Sequence, residues 1–235
     1  MRKAAYIEPV NLDAAFKTLE RFARPESLTA KIASLERALA NLSREEIVDH
    51  PHTAGLAEHT LPAALAIKAL AGQINVVIHA VGILVALPYI LEAGEAVEVL
   101  SLGAGNTGRP FDLETDRQVA EFKFITWRGS DTIRQNSTFV DLFNLATATT
   151  TKRRVLYVLD KEYPLRFLRG GRSLSSVLSK NVKAKERFFS LHGTKFERVR
   201  DYFATIESHV EVVDLRNLVP AFQSAAFAAL LEADA

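Results

Sequence analysis

The stretch from Arg109 to Trp127, RPFDLETDRQVAEFKFITW, restricts the fold more than any other part of the chain. Two short runs alternate apolar and polar residues on either side of a polar break, the pattern of a strand, a tight turn and a second strand. In the first run Phe111 and Leu113 alternate with Asp112 and Glu114. In the second, Ala120, Phe122 and Phe124 alternate with Val119, Glu121, Lys123 and Ile125. Successive strand side chains point to opposite faces, so Glu121 and Lys123 share a face flanked by Val119 and Ile125. Pairing across a turn at Thr115 to Gln118 sets Asp112 beside Glu121. Two carboxylates and an ammonium then meet on a partly buried surface. Such burial is costly unless the charges are paired or bind a metal.

The rest of the chain supplies the setting. With 235 residues it can hold one sizeable domain, or a core domain with a helical extension. The absence of cysteine excludes structural disulfides and thiolate zinc sites. The N-terminal MRKAAYIEPVNLDAAF has no long apolar run, so a secretory leader is not expected, and the expected location is cytoplasmic. The most apolar stretch, Ile74 to Leu91, is about the minimum length for a membrane span. Containing His79, Gly82 and Pro88, it reads as a buried helix, and no membrane partner is expected.

Helical periodicity organises the first seventy residues. Leu12 to Ala23 carries a one-sided apolar stripe with Asn11 as its N-cap, and Ser27 to Leu42 repeats the pattern. Ser43 and Glu46 have capping-box spacing at the head of a short helix. These helices carry no evident chemistry and read as a packing extension over 1–71, or as a surface for a homodimer or a protein partner. His50, His52 and His59 have no nearby ligand set at a zinc spacing and read as surface or loop histidines. A helix follows to Leu70, with Pro62 as an irregularity or break. After Gly72 the buried helix begins, with His79 as a satisfied core histidine. Val97 to Leu102 alternates as a strand. The loop Gly103 to Gly108 leads into a strand rather than a helix, which excludes a dinucleotide fingerprint.

Beyond Asp131 a helix presents Ile133, Phe139, Leu142, Phe143 and Ala146 on an apolar face, and Arg153 to Leu159 is a strong strand. Leu165 to Leu168 reads as a short strand, Arg172 to Lys185 and Thr194 to Ser208 as basic helices. Val210 to Leu215 reads as a strand, and Val219 to Leu231 as a final helix.

From Gly72 the order is therefore helix, three strands, helix, strand, with Asp112 on the second strand and Glu121-Phe122-Lys123 on the third. In this order and spacing, over roughly Gly72 to Leu159, the chain resembles the PD-(D/E)xK nuclease superfamily. The resemblance implies an α/β restriction-endonuclease-like core over 72–235, with a mixed central sheet flanked by helices. The pattern departs from the family in two places. Phe111 separates Pro110 from Asp112, and no acid stands on the first core helix between Gly72 and Leu91.

The resemblance implies a metal-dependent nuclease, with Asp112, Glu121, Lys123 and Gln135 as its catalytic residues. Asp112, Glu121 and the Phe122 carbonyl would bind Mg²⁺, with Mn²⁺ as a substitute, since hard cations prefer oxygen ligands. Lys123 would orient the attacking water or offset charge on the phosphate, and Arg134 and Gln135 would bind the phosphate. Glu114 shares the face of Asp112 and could assist.

The formal charge of +1 conceals an uneven distribution. From Thr147 to Tyr202 there are fourteen Lys or Arg against five Asp or Glu. Lys152, Arg153, Arg154, Arg169 and Arg172 in that segment could contact a nucleic-acid backbone, DNA ahead of RNA, without reading its sequence. The alternative is a catalytically inactive nucleic-acid-binding or assembly protein on the same fold. In the plainest case the acids and Lys123 form only an ion-pair cluster at a sheet edge.

Overall fold

A computed structural model describes residues 11–24, 27–49, 56–103, 110–124, 129, 131–225, 227 and 229. His50, His52, most of the glycine loop, Ile125 and Trp127 lie outside the described residues, as does the side chain of His59. The chain divides into two compact units, residues 1–75 and 76–235.

In the first unit three helices start where capping chemistry allows. Helix α1 spans Leu12–Ala23, and the Asn11 side chain accepts from the Ala14 amide at 3.1 Å. Helix α2 spans Leu28–Leu39, and Ser27 caps it through Ala30 at 3.2 Å. Helix α3, Arg44–Asp49, opens on a reciprocal box. The Glu46 carboxylate accepts from the Ser43 amide at 2.7 Å, and the Ser43 hydroxyl accepts from the Glu46 amide at 3.3 Å.

Helix α4 runs without interruption from Leu56 to Ile90, past both Pro62 and Gly72, and the division between the units falls within it. The expected break is absent because a break costs more. Pro62 costs about 3 kcal/mol through its lost amide donor and its ring clash, and Gly72 about 1 kcal/mol of helix propensity. Ending and restarting the helix would leave several backbone groups at each end to be satisfied, and no Ser, Thr, Asp or Asn between Leu61 and Ile74 offers a cap.

The expectation of a buried helix holds only for its last turns. Ile83, Ala86 and Ile90 are buried, whereas Leu65, Ile74, Val77 and Val81 are exposed. By length and composition the segment Thr60–Ile90 could cross a membrane, and only 17% of its most apolar eighteen-residue window is buried.

The second unit is α/β, built on a five-stranded mixed sheet in the order β1-β2-β3-β4-β5. Strands β1 (Val97–Leu100), β2 (Leu113–Thr115) and β3 (Gln118–Lys123) form an antiparallel meander, with Leu113 opposite Ala120 and Glu114 opposite Val119. Helix α5 (Thr132–Ala146) then returns the chain so that β4 (Arg153–Val158) pairs parallel to β3, with Glu121 opposite Leu156. Helices α6 (Glu162–Leu168), α7 (Leu174–Val177), α8 (Val182–His192) and α9 (Val199–Ile206) make the second crossover, to β5 (Glu211–Asp214), also parallel. Parallel neighbours require such long connections.

Alternation along β3 divides the core in two. Val119 packs with Phe139, Leu142 and Phe143 of α5 and with residues of α6 to α9. Ala120 and Phe122 pack on the opposite face with Ile83, Ala86 and Ile90 of α4 and with Leu215, Val219 and Phe222 near the C-terminus. At Gly82 α4 lies tight against the residue following β3: a Cβ there would lie 2.6 Å from the Phe124 ring.

The turn between β2 and β3 is held by a buried polar network. Thr115 Oγ1 accepts from the Gln118 amide at 2.8 Å, Gln118 Nε2 donates to Glu95 at 2.8 Å, and the Tyr157 hydroxyl donates to Gln118 Oε1 at 2.8 Å.

Several local readings change. Leu165 to Leu168 is helical within α6, where the apolar residues Leu165, Phe167 and Leu168 pack into the core from a helix. The stretch from Arg172 to Lys185 is divided, because Asn181 caps a new helix by accepting from the Ala184 amide at 3.0 Å. Ile133, assigned to the apolar face of α5, is 81% exposed. From Val219 the chain forms a short 3₁₀ turn, Pro220–Gln223, before Ser224.

Candidate functional site

The β2–β3 meander places Asp112 and Glu121 side by side. Asp112 immediately precedes β2, and its carbonyl accepts from the Ser101 amide at 2.8 Å. Continuing the β2–β3 register by one residue sets Asp112 across from Glu121. One carboxylate oxygen of Asp112 accepts from the Phe122 amide at 3.0 Å, and the other lies 3.3 Å from His79 Nε2. Phe122, expected as a carbonyl ligand, thus touches Asp112 through its N–H. His79 stands on the same stripe of α4 as Ile83, Ala86 and Ile90, and its ring meets Phe124 edge-on at 6.1 Å. It is a half-buried histidine on the core-facing stripe, and its partner is the candidate acid itself.

On the same face as Glu121, Lys123 forms an ion pair with Asp141 of α5. Thr138, Asp141 and Leu145 follow helical spacing on α5, and Thr138 and Leu145 are fully buried. Asp141 is the one acid on that stripe.

The cluster therefore holds three carboxyl groups around one lysine and one histidine, largely out of water. Burial, the charges of Asp141 and Asp112 and a hydrogen bond to Asp112 push the Glu121 carboxyl up to about 10. Burial works against ionising Asp112 as well, but the approach of His79, a hydrogen bond with Glu121 and the Phe122 amide outweigh it and hold Asp112 below the usual carboxylate range. Burial raises Asp141 even with Lys123 beside it. Burial opposes the Lys123 charge, yet Asp141, Glu121 and Asp112 together raise its basicity. These surroundings favour the protonated form of Glu121, which is placed to share its proton with the Asp112 carboxylate.

The remaining expected site residues lie apart from this cluster. Gln135, in the first turn of α5, is buried and accepts from Arg172 at 2.7 Å. Arg134 pairs with Asp131 at 3.3 Å, and Asp131 also caps the helix. Lys152 bridges Glu98 at 2.7 Å and Glu114 at 2.9 Å, which also commits Glu114. Arg153 pairs with Glu92 at 3.2 Å and Glu211 at 3.0 Å. Arg154 donates to the carbonyls of Ala148 and Thr150 at 3.2 and 2.7 Å, and Arg169 pairs with Glu207 at 2.6 Å. Lys152, Arg153 and Arg169 are therefore neutralised within the fold, which the residue count alone does not reveal.

Comparison with family models, curated proteins and solved structures finds no match. Among the described residues no group of three or more His, Cys, Asp or Glu side chains is placed to hold a metal ion. Chemically, the site offers a pair of adjacent hard oxygen donors sharing a proton, with a lysine on the same strand face.

Proposed function

We propose that the protein is a metal-dependent nuclease that hydrolyses phosphodiester bonds, DNA ahead of RNA, on a restriction-endonuclease-like core. One observation carries the reading. Continuation of the β2–β3 register sets Asp112 beside Glu121, while Lys123 projects from the Glu121 face. The run α4-β1-β2-β3-α5-β4 supports it through the same order of elements.

The donor set fits Mg²⁺, which typically takes one or two carboxylates and fills its other positions with water and phosphate oxygens. Asp112 and Glu121 would hold the ion, with Mn²⁺ as a substitute. When bound, it supplies Lewis acidity that activates a water and offsets charge on the phosphate.

The chain's own residues do the positioning. The Phe122 amide and His79 fix the two Asp112 oxygens. With a cation bound, Glu121 would release its proton to solvent and serve as a second anionic donor. Asp141 anchors Lys123. An ammonium has three donors, so Lys123 can also offer one to a phosphate oxygen, provided its anchor holds it at the scissile group.

A second reading, an inactive nucleic-acid-binding or assembly protein, draws on the engagement of Lys123 by Asp141 and on the paired basic residues. Incubating the purified protein with DNA and with RNA in Mg²⁺ or Mn²⁺ decides between the two. The hydrolase reading expects cleavage that Glu121→Gln and Lys123→Ala abolish while circular dichroism remains native. Binding that survives both substitutions, with no cleavage under either ion, would overturn it in favour of the second reading.

A further inference from the structure

Between α5 and the α6–α7 connection lies a cavity of about 300 Å³, lined by Gln135, Tyr163, Arg166, Phe167, Gly170 and Arg172 among others. None of the acid-cluster residues lines it.

Its wall is held in place by hydrogen bonds. The Arg172 carbonyl accepts from the Val199 amide at 2.9 Å, the Gly171 carbonyl accepts from Arg198 Nη1 at 2.8 Å, and Ser173 bridges to Arg198. At Gly170 the chain turns so closely that a Cβ would lie 2.9 Å from the Phe167 carbonyl oxygen. Arg172 thus stands on a braced segment.

Arg172 is half-buried, and its side-chain partners are neutral oxygens, Gln135 Oε1 at 2.7 Å and Ser176 Oγ at 3.5 Å. Among the described residues no Asp or Glu lies within ion-pair distance of it. Nearby cations on the same elements do have acids: Arg166 pairs with Glu162, and Arg169 with Glu207. Burial without a counter-ion pulls the Arg172 guanidinium below its ordinary pKa.

The orientation of Gln135 follows from Arg172. A guanidinium only donates, so the amide oxygen must face it. The Gln135 amide N–H donors then have no acceptor among the described residues. The cavity wall therefore combines a cation lacking its anion with neutral donors, a combination suited to an oxyanion.

We infer that this cavity is a phosphate-binding site and that it takes the terminal phosphomonoester of a polynucleotide strand. The phosphate site stands on the cavity alone; the assignment of the strand end rests on the hydrolase reading above.

Two measurements test it on the full chain without divalent ions. Inorganic phosphate, compared with chloride at equal ionic strength, should raise the melting midpoint of the wild type. Arg172→Met should lose this gain. Gln135→Glu, which gives Arg172 the carboxylate it lacks and repels an anion, should lose it too while keeping the shape of the side chain. In fluorescence anisotropy, a single-stranded oligonucleotide with a terminal phosphate should bind about tenfold more tightly than its hydroxyl-ended twin. Both substitutions should reduce that ratio to near one.

If phosphate gives no specific gain, or an equal gain in both variants, the site is overturned. A phosphate gain without end discrimination overturns the strand-end assignment and leaves free phosphate or a small phosphate ester as the ligand. End discrimination with no metal-dependent cleavage supports the cavity and counts against the hydrolase reading alone.

Discussion

Glu121→Gln should reverse the usual effect of pH on this fold. In the folded protein the Glu121 carboxyl is pushed up to about 10, against an ordinary value of 4.5, by burial and by Asp141 and Asp112. Between those two values the folded protein retains a proton that the unfolded chain releases. A raised folded pKa contributes stability that is complete below the unfolded value and is lost as pH rises toward the folded one. The steepest slope one such group can produce is about 1.4 kcal/mol per pH unit. From about pH 6 to about pH 8 the wild type should therefore lose up to about 2.7 kcal/mol relative to Glu121→Gln, which carries no titrating proton. Lys123, raised above 10.5, titrates above this window, and Asp112, held low, titrates below it; Asp141, also raised by burial, is present in both proteins, so the difference between the two curves reads Glu121. Urea unfolding monitored by near-ultraviolet circular dichroism suits the measurement, because Tyr157 and Tyr202 are buried in the second unit and midpoints convert to stability through the slope of the transition. Stability curves for wild type and variant that run parallel across the window would refute the reasoning. Glu121 would then ionise normally, and the proton shared with Asp112 would not exist at neutral pH.

Two further predictions concern the supports of the site. Gly82→Ala places a methyl 2.6 Å from a Phe124 ring that is buried and stacked on Phe122 at 5.7 Å. Overpacking should outweigh the gain in helix propensity and destabilise the second unit by about 1–2 kcal/mol in urea, and adding Phe124→Leu should restore part of the loss. Tyr157→Phe leaves the buried Gln118 Oε1 without its donor, so it should cost about 1–3 kcal/mol in the same assay; no change would mean that the network does not hold the β2–β3 turn.

What was legible in the sequence depended on whether the signal was local. Asn11, Ser27 and the Ser43–Glu46 box mark helix starts through contacts three residues away, and the structure uses each of them. The juxtaposition of Asp112 and Glu121 was readable for a similar reason, since a tight turn fixes register within a few residues. Asp141 and the pairing of His79 escaped because each stands on a helix while its partner, Lys123 or Asp112, stands on or beside a strand. Yet each left a trace: a polar side chain at helical spacing among buried neighbours, Thr138 and Leu145 for Asp141 and Ile83 and Ala86 for His79.

The same distinction explains the basic segment. A residue count sees fourteen cations, but Lys152, Arg153 and Arg169 find their acids on distant elements at Glu98, Glu211 and Glu207. The charge that matters to a ligand is what remains after such pairing. By that criterion Arg172 outranks Lys152 and Arg153 despite its isolation in sequence, and it differs from Arg154, which also bonds only to neutral oxygens, in lining a cavity. It is half-buried, braced through its own backbone and hydrogen-bonded only to neutral oxygens. A desolvated guanidinium has most to gain from an anion when the fold has not already supplied one.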